Sequence, residues 1–502
     1  MLRLPRLVAL SSWAFLCAAS AVTCHAAPSE TGAPVPARPN VLFLIADDLN
    51  TRLGCYGDVA ARTPAIDRLA AEGVRFERAY VQGAVCTPSR KSFLTGKSTK
   101  TVGILAENYM KQNPEAITVG KYFRRAGYQT IAIGKVEHTD EYQDKDAWDI
   151  RAKDAGNQDN RGKDAGKKDN RGKQRNPVYD DADPKRQVAM VDVRRAGAKT
   201  MDGTRADRLI QFLETERDSQ KPFFAALGFH SPHEPHDTTA EYLGWHPADR
   251  MPLDLAPSQA NPALPYSMPR MPAKLTEAKR RQIIQGYYAA VSSMDAEVER
   301  VLTYLKEKGQ LDNTIIVLTS DHGYHLGFRD LWMKHTVYPQ VARVPLIVRY
   351  PAVAARGAAA PGIVELLDLF PTFAELAGLP IPDGLDGRSL VPQLRNPIAP
   401  GKPAAFIEFV TNRQVAAQWA AELGRRAPPV PAELMPPGVN VTSKAVYTEQ
   451  WCYIERYGSN ERELYDLQRD PSAYINLVDR SEHQPVVAQL AAKLHAFYPK
   501  TK

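Results

Sequence analysis

Val41-Leu42-Phe43-Leu44-Ile45-Ala46-Asp47-Asp48 is an unbroken apolar run that stops in two adjacent carboxylates. A strand with one wet face would alternate, so a continuous run of this length reads as a strand buried on both faces, the habit of parallel sheets. Two acids at its carboxyl end are costly to bury unless a cation or several donors meet them; a pair of acids taken alone is more often a solvated turn. Three later segments repeat the pattern. Tyr128 to Gly134 delivers Lys135 and His138, Pro222 to Phe229 ends in His230-Ser231-Pro232-His233, and Thr314 to Thr319 ends in Ser320-Asp321-His322-Gly323. Between them lie segments of helical spacing: 63–72 (opened by Thr63-Pro64), Ile117 to Ala126, Arg205 to Asp218, and Leu275 to Gly309 with an offset near Ser292-Ser293. This alternation predicts an α/β fold, a large mixed, mainly parallel sheet sandwiched by helices. Open parallel sheets bind ligands beyond the carboxyl ends of their strands. One polar ending is unremarkable, but four make a shared site the economical reading, and the pattern alone points to a hydrolase-like enzyme with a metal.

Outward from the first strand, the strand-like Val74 to Tyr80 leads into Ala84-Val-Cys-Thr-Pro-Ser-Arg-Lys-Ser-Phe-Leu-Thr-Gly-Lys-Ser98. Pro88 suits the first turn of a helix, where a missing N–H is no loss. That places Cys86 at or just before a helix N-terminus, with Arg90 one turn on. Unpaired amides and a guanidinium converging on a thiol suit an anion and a nucleophile that attacks it. A lone cysteine is more commonly a buried structural one. The tail Gly96-Lys97-Ser98 imitates the end of a phosphate-binding loop, but the glycine such a loop needs five residues earlier is Lys91.

The composition is that of an ordinary globular protein, 44% hydrophobic and 24% charged over 502 residues. The net charge of +7 falls to +5 without Arg3 and Arg6, a surplus too small for a nucleic-acid footprint though compatible with an anionic substrate. Residues 1–26 read as a secretory signal: Arg3 and Arg6, an apolar stretch from Leu7 to Val22 too short for a membrane span, then small residues. Cleavage is expected near Ala26, with a lipoprotein cut at Cys24 as the less favoured alternative. The mature chain is expected to be exported, periplasmic or secreted (lysosomal in a eukaryote), without membrane insertion. Cys55, Cys86 and Cys452 then remain. Should Cys86 be consumed, Cys55–Cys452 is either a disulfide or two free thiols, and both stay open.

Residues 38–400 read as the catalytic domain, including a helix from Val364 to Gly378. Lys153 to Lys173 carries a near-exact ten-residue repeat with no aromatic or branched apolar residue to bury, a basic insertion expected to be disordered. Trp245 to Pro272 is a Pro-rich loop of the kind that shapes a pocket. Short runs at Ala404–Val410, Lys444–Gln450, Cys452–Tyr457 and Leu464–Leu467, then a helix over 485–498, predict a smaller C-terminal antiparallel-sheet subdomain at 401–502.

Cys86-Thr87-Pro88-Ser89-Arg90 followed by Leu94-Thr95-Gly96-Lys97 resembles the Cys-x-Pro-Ser-Arg segment of the type I sulfatases. Asp47-Asp48, Gly134-Lys135, the His230 strand end, Ser320-Asp321-His322-Gly323, Lys334 and the ending Leu464-Tyr465-Asp466-Leu467 occur in that family's order. Lys135-Val136-Glu137-His138, the His322 after Asp321 and Gly228-Phe229-His230-Ser231-Pro232-His233 resemble its iduronate-2-sulfatase branch. The repeat, and Ser472-Ala473 after Asp470-Pro471, depart from the pattern. The resemblance implies the alkaline-phosphatase-like sulfatase fold. It implies that a formylglycine-generating enzyme oxidises Cys86 to formylglycine, whose hydrate attacks sulfur. It implies a Ca²⁺ held by Asp47, Asp48, Asp321 and the converted Cys86, with His322 beside or on the metal. Carboxylate oxygens favour a hard cation, whereas imidazole is a poor calcium ligand. Arg90, Lys135 and Lys334 would spread charge on the sulfuryl oxygens, His230 with Lys334 would protonate the leaving oxygen, and His138 would take the proton from the second hydroxyl. The implied substrate is a sulfated saccharide, such as a 2-O-sulfated uronate. Two other readings stay open: a phosphonate or phosphate monoester hydrolase, and a catalytically silent polysaccharide-binding protein in which Cys86 is never oxidised.

Overall fold

β1 (Asn40–Asp47) is buried along all eight residues and lies inside a nine-stranded sheet. The computed structural model describes residues 38–498 apart from 104–108, 139–143, 153–172, 261–273, 412–439, 457–460 and a few isolated positions. The leader at 1–26, the 153–173 repeat except its last residue, and much of the Pro-rich loop therefore fall outside the described residues.

In chain order the next strands are β2 (Val74–Tyr80), β3 (Gln129–Gly134), β4 (Ile150–Ala152), β5 (Lys173–Tyr179), β6 (Gln187–Arg194), β7 (Phe223–Pro232), β8 (His236–Thr239), β9 (Thr314–Ser320), β10 (Arg343–Val344), β11 (Leu346–Arg349) and β12 (Ala358–Glu365). The main sheet runs β10-β2-β11-β9-β1-β7-β3-β4, with β12 beside β2. β9, β1, β7, β3 and β4 are mutually parallel, while β11 runs antiparallel to both β9 and β2. Side chains alternate across the sheet. Leu42, Leu44, Ile316 and Leu318 face the long helix Glu277–Glu307 and the helix Met201–Gln211. Val41, Phe43, Ile315 and Val317 face α2 (Cys86–Thr95, the next helix after α1, Pro64–Glu72), the helix Val119–Arg125 and the helix Leu369–Leu376. Both faces are apolar because both are covered, which is why these strands do not alternate in sequence.

The register decides where the site falls. Ile45 pairs with Gly228 and with Thr319, Ala46 with Ser320, and Gly134 with Gly228. Asp47, Asp321, Lys135 and the segment leading to His230 therefore leave the sheet at one level. At that level β3 and β7 approach closely: a Cβ on Gly134, whose φ is +66°, would lie 2.3 Å from the Gly228 carbonyl oxygen. Gly134→Ala should therefore cost more than about 2 kcal/mol of stability, from the left-handed backbone plus the clash. Urea unfolding measures it, and an unshifted midpoint would contradict this geometry.

Several sequence boundaries shift for physical reasons. The long helix runs through Ser292-Ser293 without a break. Residues 286–295 are buried on every side of it, so the apolar stripe widens into a band that imitates an offset. The helix expected from Arg205 begins at Met201, capped by the Thr200 hydroxyl, which accepts the Gly203 N–H. The helix expected from Val364 starts later, because β12 continues to Glu365. A three-stranded sheet, β5-β6-β8, was not foreseen: β5 is Lys-Gln-Arg-Asn-Pro-Val-Tyr, with little apolar periodicity.

The C-terminal strands β13 (Ala405–Thr411), β14 (Asn440–Tyr447), β15 (Trp451–Glu455) and β16 (Arg462–Asp466) form an antiparallel sheet in that order, with a closing helix Gln484–Phe497. Ile407, Tyr447, Cys452 and Tyr465 share an apolar cluster with Tyr80, Val337 and Ile363 of the main layer, and Ala37–Lys502 is one compact unit. Cys55 and Cys452 are both free thiols, in different clusters. Burial pushes the Cys55 thiol up to about 12 and the Cys452 thiol higher still. Among the described residues no helix is long and apolar enough to cross a membrane.

Candidate active site

α2 begins at Cys86, and Val85 before it supplies no side-chain cap, so the first-turn amides are not taken by one. Nine of its ten residues are buried, Arg90 and Ser89 among them. The Cys86 sulfur is met from four sides: His322 Nε2 at 3.2 Å, Lys334 Nζ at 3.4 Å, Lys135 Nζ at 3.6 Å and Asp47 Oδ1 at 3.6 Å. These residues come from β9's end, the loop after it, β3's end and β1's end.

Asp321 is the knot between them. Its Oδ1 accepts the N–H groups of His322 (2.9 Å) and Asp48 (3.3 Å), and its Oδ2 accepts Arg90 Nε at 2.9 Å. Arg90 also donates through Nη1 to the Lys135 carbonyl, tying α2 to the end of β3. Its Nη2 lies 3.8 Å from Asp47 Oδ2. The Lys135 ammonium rests against that same oxygen, which accepts no hydrogen bond of regular geometry. Asp48 takes Lys334 Nζ at 2.9 Å and His322 Nδ1 at 3.1 Å. Its φ is +71°, and Tyr287 Oη donates to its carbonyl at 2.8 Å, which fixes the turn after β1.

Electrostatics follow from this packing. Burial opposes ionisation of Asp47 and Asp48, yet Lys135 beside the first and Lys334 beside the second hold both far below the usual carboxylate range. Burial opposes a charged His322 as well, but Asp321 and Asp48 outweigh it and push the ring up to about 10. His138 behaves oppositely: burial and then Lys135 push it down to about 3, leaving it neutral at physiological pH. His138 Nδ1 and His230 Nε2 are buried without a hydrogen-bond partner. Neither ring bonds to the acid cluster, although the charges of Asp47 and Lys135 reach both.

Ten sequence-predicted residues thus separate into two shells of contact. Asp47, Asp48, Cys86, Arg90, Lys135, Asp321, His322 and Lys334 touch one another, and His138 and His230 stand at the edge. His233 was missed, although it directly follows the strand that carries His230; its Nε2 lies 3.8 Å from Asp48 Oδ2 and its ring centroid 5.4 Å from that of His230. The carboxylates of Asp47, Asp48 and Asp321 suit a hard cation, better than the Cys86 thiol or the His322 imidazole does. Ligand atoms of Asp47, Cys86, Asp321 and His322 lie within 4.8 Å of one another, and Asp47, Asp48 and His233 form an overlapping group. Asp47, Asp48 and Asp321 offset Arg90, Lys135 and Lys334, so the metal-free cluster has only the charge of His322 with which to draw an anionic ester; a divalent cation would strengthen that pull. A groove of about 860 Å³ lies elsewhere, near the opposite end of β9, where Arg68 pairs with Glu299 and Arg349 with Glu72 and Asp312.

The sulfatase family profile matches residues 39–379. The chain belongs to the sulfatase family. The profile spans every strand end that builds the site, and family membership makes the chain a sulfuric ester hydrolase. Iduronate 2-sulfatase of Mus musculus is 33% identical over 399 residues, 68% of this sulfatase and 69% of the mouse protein. Among solved structures, the phosphonate monoester hydrolase of Agrobacterium radiobacter superposes with a TM-score of 0.70 at 21% identity, over 92% of this chain and 95% of that one. A protein solved with its substrate D-glucosamine-2-N,6-O-disulfate superposes with a TM-score of 0.69 at 24% identity, over 92% and 97%. Both structural likenesses speak for the shared fold.

Proposed function

We propose that this sulfatase removes sulfate from a sulfated sugar, a 2-O-sulfated uronate, with residue 86 in its formylglycine form and one Ca²⁺ held by Asp47, Asp48, Asp321 and residue 86. The supporting observation is the Cys86 sulfur, 3.2 to 3.6 Å from His322, Lys334, Lys135 and Asp47 at the head of α2. The identity to iduronate 2-sulfatase supports the sugar. When present, the cation would supply a fixed double charge for drawing in the ester and lowering the proton affinity of an oxygen nucleophile. The aldehyde hydrate would supply an attacking hydroxyl and a second one whose deprotonation expels sulfate, which neither cysteine nor serine can offer.

The chain's own residues do the rest. Lys135 and Lys334 flank position 86 and neutralise charge that builds on the sulfuryl oxygens, together with the α2 amides. Arg90 spends Nε and Nη1 on Asp321 and the Lys135 carbonyl, so its first task is to hold those two in place; only Nη2 is left for the ester. His138, kept neutral, accepts a proton at Nδ1. His230 would protonate the departing oxygen from Nε2; burial and then Arg205 lower its proton affinity, so the ring gives up a proton readily once it carries one. The chain would reach this state by export behind the 1–26 leader and oxidation by a formylglycine-generating enzyme.

Mass spectrometry of the tryptic peptide Ala79–Arg90 tests the modification. The expected result is a peptide lighter than the thiol form and reactive towards hydrazides. A thiol in every molecule of active enzyme would refute it. Release of sulfate from a heparin-derived disaccharide with a 2-O-sulfated uronate, against phosphate release from para-nitrophenyl phosphate, tests the substrate class. Faster turnover of the phosphate ester would move the assignment to phosphate or phosphonate hydrolysis.

A further inference from the structure

Behind His230 stands a charged pair with no counterpart in the sequence reading. Asp202 and Arg205, on the first turns of the helix Met201–Gln211, are 2% and 3% exposed. Both carboxylate oxygens of Asp202 accept backbone N–H groups from the end of β7: Oδ1 from His230 at 2.6 Å and Oδ2 from Ser231 at 2.9 Å. Arg205 Nη1 donates to Asp202 Oδ1 at 3.3 Å and to the Gly228 carbonyl at 3.0 Å. Its Nε passes 2.6 Å from where a Cβ on Gly134 would sit. One ion pair therefore grips the end of β7, which delivers His230, and packs against the end of β3, which delivers Lys135 and His138.

The ladder explains why a clamp is needed. Ile45 pairs with Gly228, but the next paired position is Asp47 with Pro232, so residues 229–231 bulge out of β7. A bulge re-aims side chains and leaves amides without strand partners, and Asp202 accepts two of those amides. Burying this carboxylate and guanidinium costs stability that an apolar pair would not, so the pair points to a need for orientation beyond folding.

We propose that Asp202, tied to Arg205, is a positioning residue for sulfate ester hydrolysis, holding the 229–231 bulge so that His230 presents Nε2 to the departing oxygen. This rests on the reading of His230 as proton donor. Asp202→Asn keeps one acceptor and sets an NH₂ against the second amide. On the sulfated disaccharide, whose alkoxide must be protonated, kcat should fall about 10²-fold with KM within about 3-fold. On para-nitrophenyl sulfate, whose phenolate leaves unaided, the same variant should stay within about 3-fold of wild type. His230→Gln should show the same selectivity, more strongly. Equal losses on both substrates, or no loss in a folded Asp202→Asn, would overturn the positioning role. A His230→Gln variant that slows both substrates alike would instead remove the proton-donor reading, and the proposal with it. Should Asp202→Asn not fold, Arg205→Lys, which keeps the charge but loses the fork to Asp202 and Gly228, carries the same comparison.

Discussion

Replacing Cys86 with alanine should reduce sulfate release by at least about 10⁴-fold, the scale seen when an enzyme loses its nucleophile, while the melting temperature moves little. The expectation of retained folding comes from the contacts. Cys86 is buried at the first position of α2, but its sulfur faces ammonium, imidazole and carboxylate groups rather than an apolar cavity, so its loss opens no void in the core. Cys86→Ser makes a sharper test of the chemistry. Its hydroxyl sits in the same ring of cations and can attack sulfur once, but it has no second hydroxyl with which to expel sulfate. The expected result is a single turnover and a protein heavier by one sulfuryl group in intact-mass spectra. Steady turnover by either variant would show that residue 86 is not the nucleophile.

The parts of this arrangement that were legible in the sequence share one property: they are local. The apolar runs of β1, β7 and β9 are continuous because each is covered on both faces, and each breaks where its polar residues enter the site. Cys86 at a helix start could be read from Pro88 alone. What could not be read depends on partners far along the chain. His233 meets Asp48 only because β7 lies beside β1, and Asp202 meets the His230 amide only because a helix packs across that bulge. Asp202 is an ordinary acid in a helix's first turn until those amides arrive. The β5-β6-β8 sheet was equally hidden, since β5 and β8 are polar and β6, apolar over 188–191, does not alternate. Arg90 is the subtler case. Its place near Cys86 followed from spacing, whereas its engagement by Asp321 and the Lys135 carbonyl shows that a guanidinium in the site can serve the protein's own groups before any substrate.

Asp321→Asn should abolish both metal binding and activity, with turnover down by about 10³-fold or more, as for loss of a preorganised electrostatic element of the transition state. The carboxylate has two separable duties. Through Oδ2 it offsets Arg90, which is 1% exposed and has Asp47 Oδ2 as its next anion, at 3.8 Å. Leaving that guanidinium short of its partner should cost about 3 kcal/mol of stability, the lower end for breaking a buried ion pair. Through its charge it completes a set of three acids, without which Asp47 and Asp48 face Arg90, Lys135 and Lys334 with a surplus of positive charge. That surplus repels a divalent cation, so on the proposed ligand set the variant should copurify with about one tenth or less of the wild-type Ca²⁺ content. Elemental analysis and calcium titration of the purified variant read this without reference to turnover. His322 supplies an internal check of sign. Asp321 is the main influence raising its pKa to about 10, so in the variant the ring should lose its proton at a lower pH than in the wild-type apoprotein, as NMR titration of the imidazole would show. A variant that stays active while holding no metal would remove the cation from the reaction; one that binds calcium normally would remove Asp321 from the ligand set.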